Sequence, residues 1–398
     1  MRSFKIGSVF GIELRIDWSW LLIVLLIVWN LATLFASWHP DWPRAGTVSM
    51  AVAAALLFFV CIVLHELAHS LVARKHGMRV RSITLFLFGG VSNIEQEPPS
   101  AETEFLVAVV GPVTSVLLGA AFLFIASATT DTVAAESALS MIAQLSALST
   151  LLFWLGTVNI VIGVFNLIPA FPLDGGRILR AAIWHTTGNL RKATAIASTS
   201  GQLFGWGLML AGIAMCFGIQ IPFLGVGPVS GVWAAFIGWF LRGSARHANM
   251  RQAIDQALAG MRVRQLMRRD VPAVEPELTV AQLVERHLVP GDDRVLPVMR
   301  EGSFAGIVSA ADVHALPEQS WATTTVGSIA RQGKKLPVTT PERPLLEAYQ
   351  QLLKGGLEQI PVIAGGQLAG MLRRRDVTRF LEQAVEVLRS KRLTPAPH

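Results

Sequence analysis

The chain has 398 residues, of which 52% are hydrophobic and 15% charged, against about 25% charged in an ordinary soluble domain. With a mean hydropathy of +0.50, this excludes a purely soluble globular protein. The formal net charge of +7 comes mainly from scattered arginines with no basic run interleaved with aromatics, so no nucleic-acid partner is expected.

Residues 1–245 contain 24 Asp, Glu, Lys and Arg, and the shorter segment 246–398 contains 37. The first part therefore reads as membrane-embedded and the second as soluble. Cys61 and Cys216 each lie in an apolar run, which excludes a disulfide framework. The first 18 residues are too polar for a secretory signal, and residues 4–16 read as a pair of short strands.

A helix needs about 20 apolar residues to cross a bilayer. Charge-free stretches of that order occupy 18–38, 47–64, 105–130 and 137–173. A longer one, 193–241, is interrupted near 220–222 and at 225–228 and reads as a helical hairpin, which gives six spans, with five or seven as the other counts because Gly and Pro are tolerated in membrane helices. Lys and Arg fall in alternate loops: Arg74, Lys75, Arg79 and Arg81 follow the second span, and Arg177, Arg180, Arg191 and Lys192 follow the fourth. The opposite side offers only Arg44. By the positive-inside rule both termini, and the soluble segment, are expected on the cytoplasmic side of a cell membrane.

The second span ends in His65-Glu66-Leu67-Ala68-His69. Residues four apart share a helix face, so both histidines can meet one metal ion while Glu66 beside them acts as a general base. Ionisable groups in a membrane helix cost about 2.5–3.5 kcal/mol each at its centre, which argues against three of them without a purpose. Zinc with two histidines needs a third protein ligand, and Asp174, after Asn166-Leu-Ile-Pro169-Ala-Phe-Pro172-Leu, is the candidate. The bland reading of Leu-Asp-Gly-Gly is a turn or a helix cap. Topology favours the ligand, because spans two and four run to the same side, whereas Asp41, Asp131 and Glu136 fall on the other. Gly111-Pro112 in the third span reads as helix packing. Trp206, Met209, Met215, Trp233 and Trp239 read as lipid-facing or belt residues.

These two motifs together resemble the site-2 protease family of intramembrane zinc metalloproteases, over roughly residues 1–245. The resemblance implies His65, His69 and Asp174 as ligands of one Zn²⁺, Glu66 as catalytic base, and Asn166 near the substrate or its oxyanion. Membrane-anchored proteins are then the substrates, cut within the bilayer. Residues 82–94 read as strand–turn–strand about Gly89-Gly90. Two readings stand there: an open edge that clamps an unwound substrate by strand addition, or a sheet that packs on helix ends.

Residues 261–383 contain an internal repeat. Leu296-Pro-Val298 matches Ile360-Pro-Val362, Gly306 matches Gly370 and Asp312-Val313 matches Asp376-Val377, at a constant offset of 64. This resembles a tandem pair of cystathionine-β-synthase-type (CBS) domains, at 261–316 and 322–383, with 246–260 as linker and 384–398 as tail. The resemblance implies an adenine nucleotide in the cleft, with Ser309, Asp312 and Asp376 as contacts. Arg373 departs from the pattern at the position of Ser309. A homodimer through a ligand-free CBS pair is the other reading, and Arg373–Arg375 can equally face an anionic membrane surface.

The expected fold is thus a polytopic α-helical membrane protein with six spans and small membrane-associated strands, joined to a soluble α/β tandem CBS module. The other function classes are a CBS-regulated transporter or channel and a metal-free scaffold. Against the first, the polar residues gather at one place and no inverted repeat is visible.

Overall fold

The computed structural model describes residues 3–94, 96–129, 138–221, 227–290, 293–332 and 336–393, in two units, Met1–Asn249 and Met250–His398. Asp131, Glu136 and residues 222, 225 and 226 of the expected interruptions lie outside the described residues.

The first unit opens with strands β1 (Ser3–Val9) and β2 (Ile12–Asp17), followed by helices α1 (Ser19–Trp38) and α2 (Arg44–Lys75). Strands β3 (Val80–Phe86) and β4 (Gly89–Ile94) come next, then α3 (Ala101–Ala128), α4 (Ala138–Ala143), α5 (Ala147–Asn166), α6 (Asp174–Thr187), α7 (Leu190–Cys216) and α8 (Pro228–Leu258). Among the described residues, α1, α2, α3 and α5 are long and apolar enough to cross a membrane. Their starts are chemically marked: Ser100 and Ser146 accept from the amides of Thr103 and Ser149 at the heads of α3 and α5, satisfying backbone donors that have no helical partner. Leu22, Leu25, Trp29 and Phe124 stand outward and more than 60% exposed, as lipid-facing side chains do.

Apolar side chains gain nothing by leaving lipid, so the helices must associate through close backbone packing. Glycines supply it. A Cβ at Gly119 would lie 2.7 Å from the Gly156 carbonyl, and one at Gly163 would lie 3.0 Å from that of Pro112, so α3 and α5 are in backbone contact. Helices α7 and α8 pair antiparallel in the same way, Gly205 against Gly238 and Gly212 against Gly231. Met215, expected to face lipid, is fully buried in this seam, in one apolar cluster with Leu208, Ala234 and Leu241.

The four strands form one sheet in the order β1-β2-β3-β4. β2 and β3 are parallel, joined through α1 and α2, and the outer pairs are antiparallel. Ile12 and Ile83, both fully buried, pack on Leu67 of α2, so the sheet lies against the histidine-bearing end of that helix. β4 is a free edge.

At the opposite end of α1, the His39 ring stacks on Trp42 with centroids 3.9 Å apart, and its Nε2 lies 2.9 Å from Thr150 Oγ1 of α5.

The second unit repeats one motif. In the first copy, α9 (Val280–Leu283) continues into one π turn (Val284–Leu288), followed by β5 (Val295–Arg300), β6 (Ser303–Ser309), α10 (Ala310–His314) and α11 (Val326–Ile329). In the second, α12 (Leu345–Lys354) precedes β7 (Gln359–Ala364), β8 (Gln367–Arg373) and α13 (Arg374–Leu393). The hairpins share one register, with the same irregularity at Val298/Met299 and Val362/Ile363. Each copy has its own core, around Leu296, Val298 and Val308 and around Ile360, Val362 and Leu372. Residues 246–258 form the last turns of α8, and 384–393 belong to α13; neither stretch contains a Pro or Gly to stop a helix.

Two predictions follow from this packing. Gly212→Leu forces a side chain into the facing backbone and should destabilise by about 1–3 kcal/mol or more, whereas Gly207→Leu, one turn away in open space, should leave the melting temperature unchanged. Burial holds His39 below the ordinary histidine range, opposed by a hydrogen bond to the Ala143 backbone. The unfolded chain therefore takes up a proton below pH ~6.5 that the folded one refuses, and stability is lost as pH falls through that value. Melting temperatures at pH 7.5 and 5 should differ more in the wild type than in His39→Asn.

Candidate metal centre

His65 and His69 lie one turn apart on α2, and Asp174 is the first residue of α6; all three are buried. The two Nε2 atoms are 3.1 Å apart, and each is 3.2 Å from Asp174 Oδ2. The structure thus brings together the three side chains that the sequence singled out.

Helix α3 sets the ring orientations. His69 Nδ1 faces the Val107 carbonyl, which can only accept, so the ring proton is on Nδ1 and Nε2 offers a lone pair. His65 Nδ1 lies 2.9 Å from Ser115 Oγ, a group able to accept in the same manner. Between these contacts, Gly111 presses its backbone onto the rings: a Cβ there would lie 2.7 Å from His65 Nε2 and closer still to that of His69. The reading of Gly111 as packing is correct, and its packing partner is the histidine pair.

The chain breaks after Asn166, turns through Pro169 and the cis Phe171–Pro172 peptide, and restarts as α6. Gly175 and Gly176 allow this restart to lie directly on the turn, where a Cβ would strike the backbone of Leu167, Ile168 and Ala170. Asp174 is the first helical residue, with Leu173 as cap, so its carboxylate is free of the capping role. Further along α6, Arg180 binds Glu104 of α3 through Nε at 2.6 Å and through Nη2. Glu104 is fully buried, so this ion pair ties the aspartate's helix to the helix that orients the imidazoles.

Glu66 is half-buried beside the histidines. Ser92 of β4 donates to its Oε2 at 2.7 Å and in turn accepts from Ser70. A Cβ at Gly90 would lie 2.6 Å from Glu66 Cγ, so β4 lies across the carboxylate. Gly89, at φ 119°, opens the strand. The Asn166 amide donates to the Ile162 carbonyl at 3.0 Å, within its own helix.

With both ring protons on Nδ1, three lone-pair-bearing atoms converge here, the one such His/Cys/Asp/Glu group among the described residues. Such a set suits a cation. Two imidazole nitrogens and one carboxylate oxygen match zinc and leave a coordination position open. Sequence reasoning missed Val107, Ser115, Ser92 and the Glu104–Arg180 pair. Only Glu104 carried a signal, as a carboxylate at the head of an apolar span.

In the second unit, a cavity of about 890 Å³ has Ser309, Arg294, Arg331, Trp321, Leu357 and Glu358 in its walls. Asp312 accepts two bonds from Arg331, at 2.6 and 2.8 Å. Asp376 accepts two from Arg373, at 2.6 and 3.1 Å.

Replacing Gly111 by Ala should cut zinc retained by the purified protein at least tenfold, because the methyl group occupies the donor set. Ser115→Ala loses only an orienting contact and should weaken affinity by about 10–100-fold. Metal analysis against a graded chelator separates the two.

Comparison with known proteins identifies the family. The family model for peptidase family M50 matches residues 53–208, and that for the CBS domain matches 263–316 and 326–383. The zinc metalloprotease Rip3 of Mycobacterium tuberculosis is 31% identical over 382 residues, covering 96% of this chain and 93% of its own. The zinc metalloprotease sll0528 of Synechocystis is 27% identical over 383 residues, covering 96% of each. Among solved structures, the site-2 protease of Methanocaldococcus jannaschii aligns with a TM-score of 0.42 and 25% identity, over 62% of this chain and 95% of that one. The chain belongs to peptidase family M50, the site-2 proteases, and is a zinc-dependent intramembrane endopeptidase carrying a tandem pair of CBS domains.

Proposed function

We propose that His65, His69 and Asp174 hold one Zn²⁺, that Glu66 is the general base, and that the substrate is an unwound transmembrane segment of a membrane-anchored protein laid along β4. The observation that carries this reading is the convergence of the three donors beside a carboxylate held by Ser92. A bound Zn²⁺ supplies Lewis acidity to the scissile carbonyl and to the attacking water. Glu66 takes the proton of that water and returns it to the leaving amine. Its Oε2 is held by Ser92 while its other oxygen is left for the water.

A helical substrate hides its carbonyls, so the peptide must be extended at the site. The free edge of β4 supports strand addition at Gly89 and Gly90, since Gly90 lies directly on Glu66. In this reading Asn166, at the end of α5, meets the substrate or its oxyanion after releasing the Ile162 carbonyl.

In this reading α7 and α8 are the fifth and sixth spans, tightly paired through their glycines, and the arginine-rich loops put both termini and the CBS pair in the cytoplasm. The module boundaries follow the sequence reading, 1–245 for the protease and 261–383 for the CBS pair. The pair then sets activity through an adenine nucleotide at Ser309 and Asp312, and a homodimer forms through the CBS domains.

The test uses full-length protein in proteoliposomes with a panel of single-span peptides. Glu66→Gln should retain zinc and lose cleavage by about 10²–10⁴-fold, whereas Asp174→Ala should lose both. Cleavage undiminished in Glu66→Gln would overturn the assignment of the base, and full zinc content in Asp174→Ala would overturn that of the third ligand.

A further inference from the structure

Three arginines meet at the end of α2 that carries the histidines. The helix closes there with a complete glycine cap. Gly77, at φ 81°, donates its amide to the Arg74 carbonyl at 3.0 Å, and the Met78 amide donates to the Ala73 carbonyl at 3.1 Å. Met78 and Ala73 also share one apolar cluster with Val107. Two backbone bonds and an apolar contact across the turn fix the direction in which the chain leaves the helix. The turn leads directly into β3. Arg74, in the last turn of α2, and Arg79 and Arg81, at the start of β3, are thereby brought to the walls of one surface pocket of about 470 Å³, which Gly11 of the β1–β2 hairpin also lines.

The charge of this pocket is not neutralised by the protein. Arg74 donates through Nη1 to the Phe10 carbonyl, a neutral acceptor that holds the guanidinium without cancelling its charge. Arg79 is exposed and makes no ion pair among the described residues, and the same is true of Lys75, next to Arg74 in the chain. Arg81 has an interaction of its own, which leaves Arg74 and Arg79 as the two uncompensated cations in the walls. Guanidinium forks match the oxygens of a phosphate.

Position selects the kind of phosphate. Helix α2 has 32 residues and is about 48 Å long at about 1.5 Å per residue, against about 40–45 Å for a bilayer with both headgroup layers. With Arg44 at one end and Arg74 near the other, the pocket lies at the level of the headgroups. The hairpin tip that accepts from Arg74 is apolar on its outer side: Phe10, at φ 50°, is 68% exposed, and Ile6 is 54% exposed. A lipid presents a phosphate and hydrocarbon together, so it can use both the cations and the apolar tip. A soluble anion can use only the cations.

We propose that Arg74 and Arg79 bind the phosphate of an anionic phospholipid headgroup, with Phe10 packed against the same lipid.

The test titrates the full-length protein in neutral detergent with short-chain phosphatidylglycerol and, separately, with phosphatidylcholine of the same chain length, counting bound lipid by native mass spectrometry. One phosphatidylglycerol should bind per chain in preference to phosphatidylcholine. Arg74→Gln and Arg79→Gln should each weaken it about tenfold or more, whereas Lys75→Gln should cost no more than the about fivefold that a single cation is worth near an anionic surface. Equal binding of the two lipids overturns the proposal. So does an equal loss in all three variants, which is the behaviour of diffuse surface charge. Displacement of the lipid by millimolar inorganic phosphate would keep a phosphate pocket and overturn the lipid as its occupant. If Arg74→Gln melts below the wild type, having lost its bond to Phe10, Arg79→Gln decides.

Discussion

The structure turns on one carboxylate oxygen, Asp174 Oδ2, held within 3.2 Å of two imidazole nitrogens inside an apolar bundle. With both imidazole protons on Nδ1 the three atoms are all acceptors, a grouping that is costly in a low-dielectric interior and that a cation relieves. The rest of the first unit can be understood as what brings the three atoms to one point. Helix α2 supplies two of them by its own period. The third comes from a different helix, and its position depends on a broken backbone, two glycines that let the restart lie on the turn, and an arginine that reaches across to Glu104.

That arginine–glutamate pair has a specific consequence. Removing one partner of a buried ion pair leaves an uncompensated charge, which costs about 3–5 kcal/mol. Arg180 and Glu104 can therefore change only together. The geometry they fix is the relation between α6, which carries the proposed aspartate ligand, and α3, which orients both imidazoles through Val107 and Ser115. A general packing force cannot do this in lipid, where apolar surfaces have no reason to prefer each other. Charge in the bundle and glycine at the helix crossings take over the role of the hydrophobic core.

How far this was legible in the sequence depends on the range of the interaction. The histidine pair was legible because a helix repeats every 3.6 residues, and a four-residue spacing is a geometric statement in itself. Asp174 required topology as well, since only the alternation of spans puts it on the same side as the histidines. The strands at 4–16 and 82–94 were legible from alternation. The orienting contacts were not. Val107 acts through a backbone carbonyl, which no side-chain pattern records, and Ser115 and Ser92 are single hydroxyls in apolar or polar surroundings of no special period. Gly111 was visible but its partner was not, because close approach shows only when the second backbone is in place.

The second unit shows how a duplicated fold loses its symmetry. The repeat preserves what the core needs, the Leu-Pro-Val and Ile-Pro-Val strands and the glycines of the turns, because each copy must pack its own hairpin. It does not preserve every polar residue at the ends of the hairpins. One exchange, serine in the first copy for arginine in the second, gives the second copy an ion pair that the first lacks, since the guanidinium meets Asp376 on its own copy and Asp293 on the other. The same chemistry therefore serves two ends in this chain. Arg180 joins α6 to Glu104 of α3, and Arg373 joins Asp376 of its own copy to Asp293 of the other. In both places the deciding property is that arginine offers several donors in a rigid fork, so that one side chain takes firm hold of a carboxylate on another element.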